Sequence, residues 1–396
     1  MVCSAPLQYD FQLHHRFYAQ IPGGLEVEGA SELESLGAQH VEPAHRGASF
    51  RADSEVLYRV CLCARLVARV LAPILSFECR TPEGIYGWAR EVAFEDFMDV
   101  SDRFAVHANV SGTRITHSQY ASLKVKDAIV DRFRDRVGSR PSVDRHHPDV
   151  GFHLHVAGTH ATLSLDASGG AMHRRHYRLG SVQAPMQENL AAAIVQLSGW
   201  DGAQPLYDPF CGSGTLLAEA LMRYCRVPAL ALRERFGFQR LPGHDPSLWS
   251  RVRRTEMDAI RALPADLIAG SDLDPDAVEV TRRNLSRLPD GDKVRVGVAD
   301  FRRLPELCGY QLLANPPYGI RLGDSAGVAS LYQELGDFLK RRCAGSTAHV
   351  YVGDRALLKH IGLRPASRRA LVNGALDGRL CRFDVFSGSW RKSRGR

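Results

Sequence analysis

The chain has 396 residues, of which 44% are hydrophobic and 24% are charged, and its formal net charge is +7. This length predicts two or three domains with full-sized cores, and the composition is that of an ordinary soluble globular protein. The sequence shows neither a run of about 18 apolar residues nor the regions of a signal peptide. We therefore expect no membrane span and a cytoplasmic location.

Nine cysteines are scattered along the chain without a CxxC pair, and the closest two are Cys61 and Cys63. This usage is typical of reduced thiols rather than of a disulfide framework or a zinc site. His153 and His155 alternate along a predicted strand and would share one face. Two ligands do not make a site, so no metal is expected.

The positive charge is unevenly distributed along the chain. Residues 1–166 carry 17 Lys and Arg against 21 Asp and Glu, whereas residues 167–396 carry 34 against 23. A basic excess of this size favours a polyanion as partner. On its own it is weak support, because many basic proteins bind no nucleic acid.

Short strands and amphipathic helices are predicted over the first 169 residues. The spacing of apolar residues predicts strands at 16–22 and 104–112, a hairpin at 150–169, and helices at 24–38, 54–75 and 118–138. We expect Gly37, Gly112 and Gly138 to end their elements, and Pro73 to break the helix that begins at residue 54. Residues 54–166 are expected to form one compact α/β unit.

A regular alternation of strands and helices follows residue 182. Helices are predicted at 186–198, 215–226, 275–287 and 328–342, and strands at 205–208, 267–272, 294–299, 310–315, 347–353, 368–373 and 379–386. This alternation predicts a mostly parallel, doubly wound sheet, so the fold class is α/β and Rossmann-like. The last two strands, joined by a short turn, are expected to form an antiparallel edge.

A glycine-rich loop, "DPFCGSGT", lies between a predicted strand and a predicted helix at residues 208–215. Gly212 and Gly214 would let the backbone turn tightly and approach a ligand closely. Ser213 or Thr215 could cap the following helix, whose free amides would face a carboxylate. The loop has no lysine after its glycines and is not GxGxxG, which disfavours both a P-loop and a dinucleotide site.

Three further strand ends carry polar residues that would meet this loop at one edge of the sheet. Asp272 could accept both hydroxyls of a ribose, with Asp274 as the nearby rival. Asp300 could reach the exocyclic amine of adenine while Phe301 covers the ring. The fourth strand ends in "NPPY", residues 315–318, where two prolines make a stiff corner. Each feature alone is equally well explained as a cap or a turn, but four in order indicate a ligand site.

The glycine-rich loop followed by "ANPPYG" resembles the S-adenosylmethionine-dependent amino-group methyltransferases. Longer strings resemble the bacterial THUMP-domain methyltransferases of 23S ribosomal RNA, type L, which form N2-methylguanine. The resemblance runs from about residue 16 to about residue 386, and the strings that carry it are "ITHSQYASLKVKDAIVDRFR", "RPSVDRHHPDVGFHLHV", "ATLSLDASGGAMHRRHYR", "APMQENLAAAI", "LRERFGFQRLPGHDPSLW" and "LVNGALDGRL".

The resemblance implies three domains and a cofactor. They are an N-terminal ferredoxin-like segment at 1–53, a THUMP RNA-binding domain at 54–166 and an S-adenosylmethionine-dependent methyltransferase domain at 167–396. The gap between Gly214 and Asp272 is longer than in a plain dinucleotide fold, and the family has a similar insertion. Cys211 is interpreted as loop packing, because methylation of an exocyclic amine needs no nucleophile. The residues assigned to cofactor binding are Pro185, Asp208, Pro209, Cys211, Gly212, Ser213, Gly214, Thr215, Asp272, Asp300, Phe301 and Asn315.

The same resemblance implies that the corner is catalytic and that RNA is the partner. The catalytic residues are assigned as Asn315, Pro316, Pro317 and Tyr318, with Tyr318 stacking on the target base. The substrate is expected to be large-subunit ribosomal RNA or its precursor particle. The residues assigned to RNA contact are Lys124, Lys126, Arg132, Arg134, Arg136, Arg140, Arg174, Arg175 and Arg178. A solvated helix face explains the first six equally well from the sequence alone.

Three other functions share some of these features. A transfer-RNA guanine-N2 methyltransferase would have the same domains and corner. A DNA amino-methyltransferase would share the loop and the corner, but its N-terminal region would not resemble THUMP. A catalytically silent RNA-binding assembly factor would not need an intact Asp208, Gly212, Asp272, Asn315 and Tyr318.

Overall fold

A computed structural model describes residues 8–112, 115, 117–181, 186–318, 325–373 and 376–386. Their contacts form two compact units. The first unit comprises the described residues up to Pro22 together with Glu26–Met172 and Arg233–Thr255. The second comprises Gly23–Leu25, His173–Leu232 and the described residues from Glu256 onward. Among the described residues, none of the helices combines the length and the apolar composition that a membrane span requires.

The first unit is built on one eight-stranded sheet in the order β2-β3-β1-β4-β8-β7-β5-β6. Its strands are β1 (Arg16–Gln20), β2 (Gln39–Ala44), β3 (Gly47–Arg51), β4 (Arg69–Glu78), β5 (Arg103–Ser111), β6 (Ser142–Val143), β7 (Val150–Ala157) and β8 (His160–Asp166). Its helices are α1 (Asp10–His14), α2 (Glu26–Ser35), α3 (Ser54–Cys63), α4 (Pro82–Glu91) and α5 (Ser118–Val137). Strand β4 pairs with both β1 and β8, so the N-terminal strands and the later ones share a single sheet.

The second unit contains the predicted parallel sheet, in the order β11-β10-β9-β12-β13-β15-β14. Its strands are β9 (Leu206–Asp208), β10 (Ile268–Asp272), β11 (Arg295–Val298), β12 (Gln311–Ala314), β13 (Thr347–Val352), β14 (Ser367–Asn373) and β15 (Leu376–Asp384). Strands β9 to β13 run parallel to one another, whereas β15 pairs antiparallel with both β13 and β14. This confirms the Rossmann-like sheet with an antiparallel edge.

The helices of the second unit connect these parallel strands. They are α6 (Glu188–Leu197), α7 (Thr215–Tyr224), α9 (Pro275–Leu285) and α10 (Ser325–Arg342). The strand order reverses at β9, because β10 and β11 lie on one side of it and β12 and β13 on the other. Ligands of such sheets bind beside this reversal, beyond the carboxyl ends of the strands.

The helix predicted over 54–75 is wrong in its second half. Helix α3 ends at Cys63, and β4 begins at Arg69 and runs through Pro73. The pairing between β4 and β8 shifts register between Pro73 and Leu75, and a bulge of this kind tolerates a residue without an amide hydrogen. The apolar run 66–74 is buried on both faces, and its periodicity alone does not separate a strand from a helix.

Residues 233–255, which lie between β9 and β10 in the chain, pack with the first unit. The rings of Tyr58 and Phe238 stack with centroids 4.4 Å apart, and the Tyr58 hydroxyl lies 3.0 Å from His244 Nδ1. Arg240 donates two hydrogen bonds of 2.9 Å to the carboxylate of Asp102. Helix α8 (Pro246–Asp258), which was not predicted, begins in this segment. The continuous domain ranges given above stay a prediction, since the contacts follow a discontinuous path.

Candidate functional site

A cavity of about 310 Å³ opens at the carboxyl ends of β9, β10, β11 and β12. Eleven of the residues predicted for cofactor binding or catalysis line it: Asp208, Pro209, Cys211, Gly212, Ser213, Thr215, Asp272, Asp300, Phe301, Asn315 and Pro317. Three predicted residues, Gly214, Pro316 and Tyr318, are not in the lining, and Pro185 lies outside the described residues. The four strand ends chosen from the sequence therefore meet at one cavity.

The glycine-rich loop owes its shape to two residues with positive φ, Gly212 at 54° and Gly214 at 80°. A Cβ on Gly214 would lie 2.7 Å from the Cγ2 atom of Thr281, so a side chain at this position would be strained in both backbone and contact. Thr281 also donates a hydrogen bond of 2.7 Å to the Gly212 carbonyl. Helix α7 begins at Thr215, directly after this turn.

Asp272 and Asp274, the two rivals for the same role, make different contacts. The Asp272 carboxylate accepts hydrogen bonds from the amides of Gly212 at 2.8 Å and Asp274 at 3.1 Å, which ties β10 to the loop. The Asp274 carboxylate accepts from the Asp276 amide at 2.9 Å and caps α9. Asp274 therefore caps a helix, whereas Asp272 joins β10 to the glycine-rich loop, and both line the cavity.

Asp208 is the buried acidic group of the site, with 1% of its surface exposed. It accepts a hydrogen bond of 2.9 Å from the Phe210 amide. Burial raises the pKa of its carboxyl group to about 8, and the nearby charge of Asp272 adds to the increase. The group is therefore largely protonated at neutral pH.

Asp300 is held by its neighbour Arg302, which the sequence did not suggest. Arg302 donates to Asp300 from its amide at 3.0 Å and from Nε at 2.8 Å, and its Nη1 pairs with Glu334 at 3.0 Å. The Arg302 side-chain hydrogen bond is the main cause of a lowered pKa for Asp300. Phe301 is only 5% exposed and packs against Phe210, with ring centroids 4.9 Å apart.

The corner after β12 brings an amide to the cavity. The Oδ1 atom of Asn315 is buried and has no hydrogen-bond partner among the described residues. Such an orphaned acceptor is costly unless a ligand satisfies it. Tyr318 is half-buried, and its ring packs on Gly353, where a Cβ would lie 2.7 Å from ring atoms. The ring thus rests beside the corner and not on the cavity wall.

Eight lining residues were not predicted to belong to the site. They are Met186, Phe210, Leu216, Leu273, Ala277, Ala299, Arg302 and Leu331. Most are apolar, and nothing distinguishes them in the sequence from ordinary core residues. Leu273 differs from the others in the structure, where it is 64% exposed. In the sequence, the available signal was its position directly after the strand-end Asp272.

Several basic residues of α5 form ion pairs with acidic neighbours. Arg132 makes two hydrogen bonds to Glu95, at 2.7 and 2.8 Å, and a third to the Arg90 carbonyl. Lys124 and Lys126 pair with Glu83 and Asp127 at 3.6 and 2.5 Å. Arg134 and Arg136 are exposed, although they lie 3.5 and 3.8 Å from Asp131 and Glu95. Arg140 and Arg145, beyond the end of the helix, are also exposed.

The three arginines predicted to guide RNA differ in accessibility. Arg174 is exposed. The side chain of Arg175 is fully buried and pairs with Glu219 at 3.2 Å, so it does not reach a ligand outside the fold. Arg178 bonds to the glycine-rich loop, where its Nη1 atom is 2.9 Å from Ser213 Oγ. The buried side chain of Arg175 is therefore not available for RNA contact. The guanidinium of Arg178 already donates hydrogen bonds to the glycine-rich loop.

No group of three or more His, Cys, Asp or Glu side chains within the described ranges is arranged to hold a metal ion.

Three family models match the chain. The RMKL-like methyltransferase domain model, UPF0020, matches residues 175–382. The THUMP domain model matches residues 79–166, and the RlmL ferredoxin-like domain model matches residues 16–71.

Individual relatives agree with these matches. Ribosomal RNA large subunit methyltransferase K/L of Syntrophotalea carbinolica is 40% identical over 93% of this chain and 53% of its own length. The chain spans about half the length of the K/L relatives that it matches. Slr0064 of Synechocystis sp., named as a candidate RNA methyltransferase, is 34% identical over 93% of this chain and 97% of its own. The structure of SMU.472, a candidate methyltransferase complexed with SAH, has a TM-score of 0.82 and 25% identity over 95% of this chain and 99% of its own.

Proposed function

This chain belongs to the RMKL-like methyltransferase family, and from that premise we propose that it transfers a methyl group from S-adenosylmethionine to the exocyclic N2 of a guanine in 23S ribosomal RNA. The names of the K/L relatives support the substrate. SAH, the product of the cofactor, is bound in the similar structure of SMU.472. A ribosomal substrate would place the protein in the cytoplasm and in rRNA processing.

The residues around the cavity fit S-adenosylmethionine. Gly212 lines the cavity with a positive φ of 54°, so a ligand could approach its backbone closely. Asp272 would hold the ribose hydroxyls. Asp300 would accept from the adenine amine, with exposed Leu273 beside the ring. When bound, the cofactor supplies an activated methyl group on a sulfonium. Asp208 is buried and largely protonated without a ligand. If it ionised when the cofactor bound, its negative charge would stabilise a cationic group of the cofactor nearby.

The orphaned Oδ1 atom of Asn315 is the observation that carries the proposal. A guanine amino group is a weak nucleophile because its lone pair is delocalised into the ring. Asn315 Oδ1 and the Pro316 carbonyl can each accept one of its hydrogens, which would orient the nitrogen for attack. The nitrogen becomes acidic as it alkylates, and its proton leaves to solvent.

The target base must be unpaired or flipped out to reach this corner, at a cost of a few kcal/mol. Contacts to the RNA backbone would offset this cost. The exposed cations Arg134, Arg136, Arg140, Arg145 and Arg174 are the residues we assign to those contacts. Tyr318 would stack on the base only if its ring leaves Gly353.

The test is incubation of the full chain with labelled S-adenosylmethionine and separated ribosomal and transfer RNAs, followed by nucleoside analysis. We expect N2-methylguanine in 23S RNA. Label in transfer RNA alone would support the transfer-RNA alternative, and RNA binding without any label would support a silent assembly factor.

Asn315→Ala separates catalysis from docking. This variant should bind RNA as the wild type does but lose transfer by about 100-fold or more, since it removes a hydrogen bond that orients the reacting atom. Asn109→Ala, at an exposed asparagine of β5, is the matched control. Equal methyl transfer by Asn315→Ala would refute the assigned role.

A further inference from the structure

Arg178 lies before the first helix of the second unit, yet it is bonded to the glycine-rich loop 35 and 37 residues later in the chain. Its Nη1 atom donates to Ser213 Oγ at 2.9 Å, and its Nη2 atom donates to Thr215 Oγ1 at 3.0 Å. Nη2 also donates to the Met186 carbonyl at 3.2 Å. One guanidinium group therefore holds both hydroxyls of the loop.

The guanidinium is itself fixed from the other side. Its Nε atom donates to Glu188 Oε1 at 3.0 Å, and the Glu188 side chain is 9% exposed. Asn284, which is fully buried, binds the next part of the same segment: its Oδ1 accepts from the Leu179 amide at 2.8 Å, and its Nδ2 donates to the Ser213 carbonyl at 2.9 Å. The segment that begins at Arg178 is thus part of the framework of the loop.

The direction of these hydrogen bonds has a chemical consequence. A guanidinium group only donates, so Ser213 and Thr215 must accept from it. The two hydroxyl oxygens lie 3.4 Å apart, so one hydroxyl can donate to the other. The remaining hydroxyl hydrogen is used by none of these three groups. Both residues line the cavity, which therefore presents a hydroxyl donor to an acceptor inside it.

We infer that Arg178 is a positioning residue of the cofactor site, which acts through Ser213 and Thr215 to aim a hydroxyl donor at the carboxylate of the bound cofactor. The inference rests on the proposed function for the identity of the ligand. Arg178 is not in the cavity lining, so it does not itself contact the ligand. It replaces the RNA-guiding role predicted for this arginine from the sequence.

The experiment compares two ligands that differ only in the part that carries the carboxylate. S-adenosylhomocysteine has it, whereas 5′-methylthioadenosine keeps the adenosine and a thioether but lacks the amino-acid group. Binding of each to the full chain is measured by calorimetry without RNA, for wild type, Arg178→Gln, Arg178→Lys and the control Arg283→Gln, at an exposed arginine of α9.

Arg178→Gln should weaken S-adenosylhomocysteine by about 10- to 100-fold, the range of a charge-assisted hydrogen bond. It should weaken 5′-methylthioadenosine by less than about threefold, because that ligand makes no use of the hydroxyl. Arg178→Lys should fall between the wild type and Arg178→Gln, since an ammonium group does not reproduce the planar fork. The control should bind both ligands as the wild type does.

A second variant protects the test against misfolding of Arg178→Gln. Ser213→Ala combined with Thr215→Val removes the two acceptors but keeps the pair of Arg178 and Glu188, and it should show the same ligand-selective loss. The inference would be overturned if either variant bound both ligands equally more weakly, or if it bound both as the wild type does. The proposed function would still stand in both cases. Failure of the wild type to bind S-adenosylhomocysteine would overturn the proposed function itself.

Discussion

Asp208→Asn should make the second unit more stable, by an amount that grows with pH. Asp208 is buried, and its pKa is raised from 3.8 to about 8. Between these values the unfolded chain carries the ionised group and the folded protein the protonated one. The folded state therefore binds one more proton, and stability falls with pH by about 1.4 kcal/mol per unit. An asparagine at this position removes that dependence.

The expected difference is worked from the same two pKa values. At pH 5 the folded wild type has lost about 2 kcal/mol to this group, and at pH 8 about 5 kcal/mol. The advantage of Asp208→Asn should thus increase by about 3–4 kcal/mol over this range. Urea unfolding at pH 5, 6.5 and 8, followed by hydrogen exchange of peptides from β9 and α7, measures it within the second unit. Asp201→Asn, at an exposed aspartate, is the matched control.

A constant difference between the two proteins across this pH range would refute the reasoning. So would an Asp208→Asn protein that is less stable than the wild type at pH 8. Either result would mean that the carboxyl group is ionised in the folded state, and that some compensating contact replaces its solvation.

Three other expectations concern the loop and the arginines. Gly214→Ala should weaken binding of S-adenosylhomocysteine by at least about tenfold, because a φ of 80° and contact with Thr281 disfavour a Cβ at this position. Calorimetry measures this affinity, and an unchanged value would contradict the role given to the turn. Arg175→Met should destabilise the second unit by about 3–5 kcal/mol, because it removes the positive partner 3.2 Å from the buried carboxylate of Glu219. RNA affinity should be unchanged in filter binding, and the opposite pattern would restore a guiding role. Arg136→Gln should lower the slope of log affinity against log salt by about one, because this side chain is 64% exposed and only 3.8 Å from Glu95. Arg132→Gln should change the slope less, because Arg132 is 12% exposed and holds Glu95 with two hydrogen bonds. Equal slopes would remove α5 from the proposed RNA surface.

The meeting of the strand ends in the second unit could be predicted from the sequence. Alternating strands and helices form a parallel sheet, and its backbone topology alone brings the carboxyl ends of the strands to one edge. Asp208, Asp272, Asp300 and Asn315 therefore reached the same cavity as expected. Their order along the chain was sufficient for this prediction. The apolar lining was not predictable, because Phe210 and Leu331 look like any core residue in the sequence.

The arginines show what the sequence could not provide. Arg132, Arg175 and Arg178 each pair with an acidic side chain, and two of those partners lie 37 and 44 residues away. Whether a cation is free for RNA depends on such long-range pairing, which no local pattern encodes. The prediction of a helix where β4 lies was wrong for a related reason. Residues 69–78 form a strand because they pair with β1 and β8, which lie on either side of them in the sheet.

The placement of residues 233–255 has a consequence for synthesis and for truncation. Tyr58 is 2% exposed because Phe238 and His244 cover it, and Asp102 is bonded to Arg240. During translation the first unit would have to wait for about 80 more residues after Met172 before these partners leave the ribosome. A fragment that stops at Met172 would leave an aromatic ring and a carboxylate uncovered, whereas one that carries residues 233–255 on a short linker would complete them.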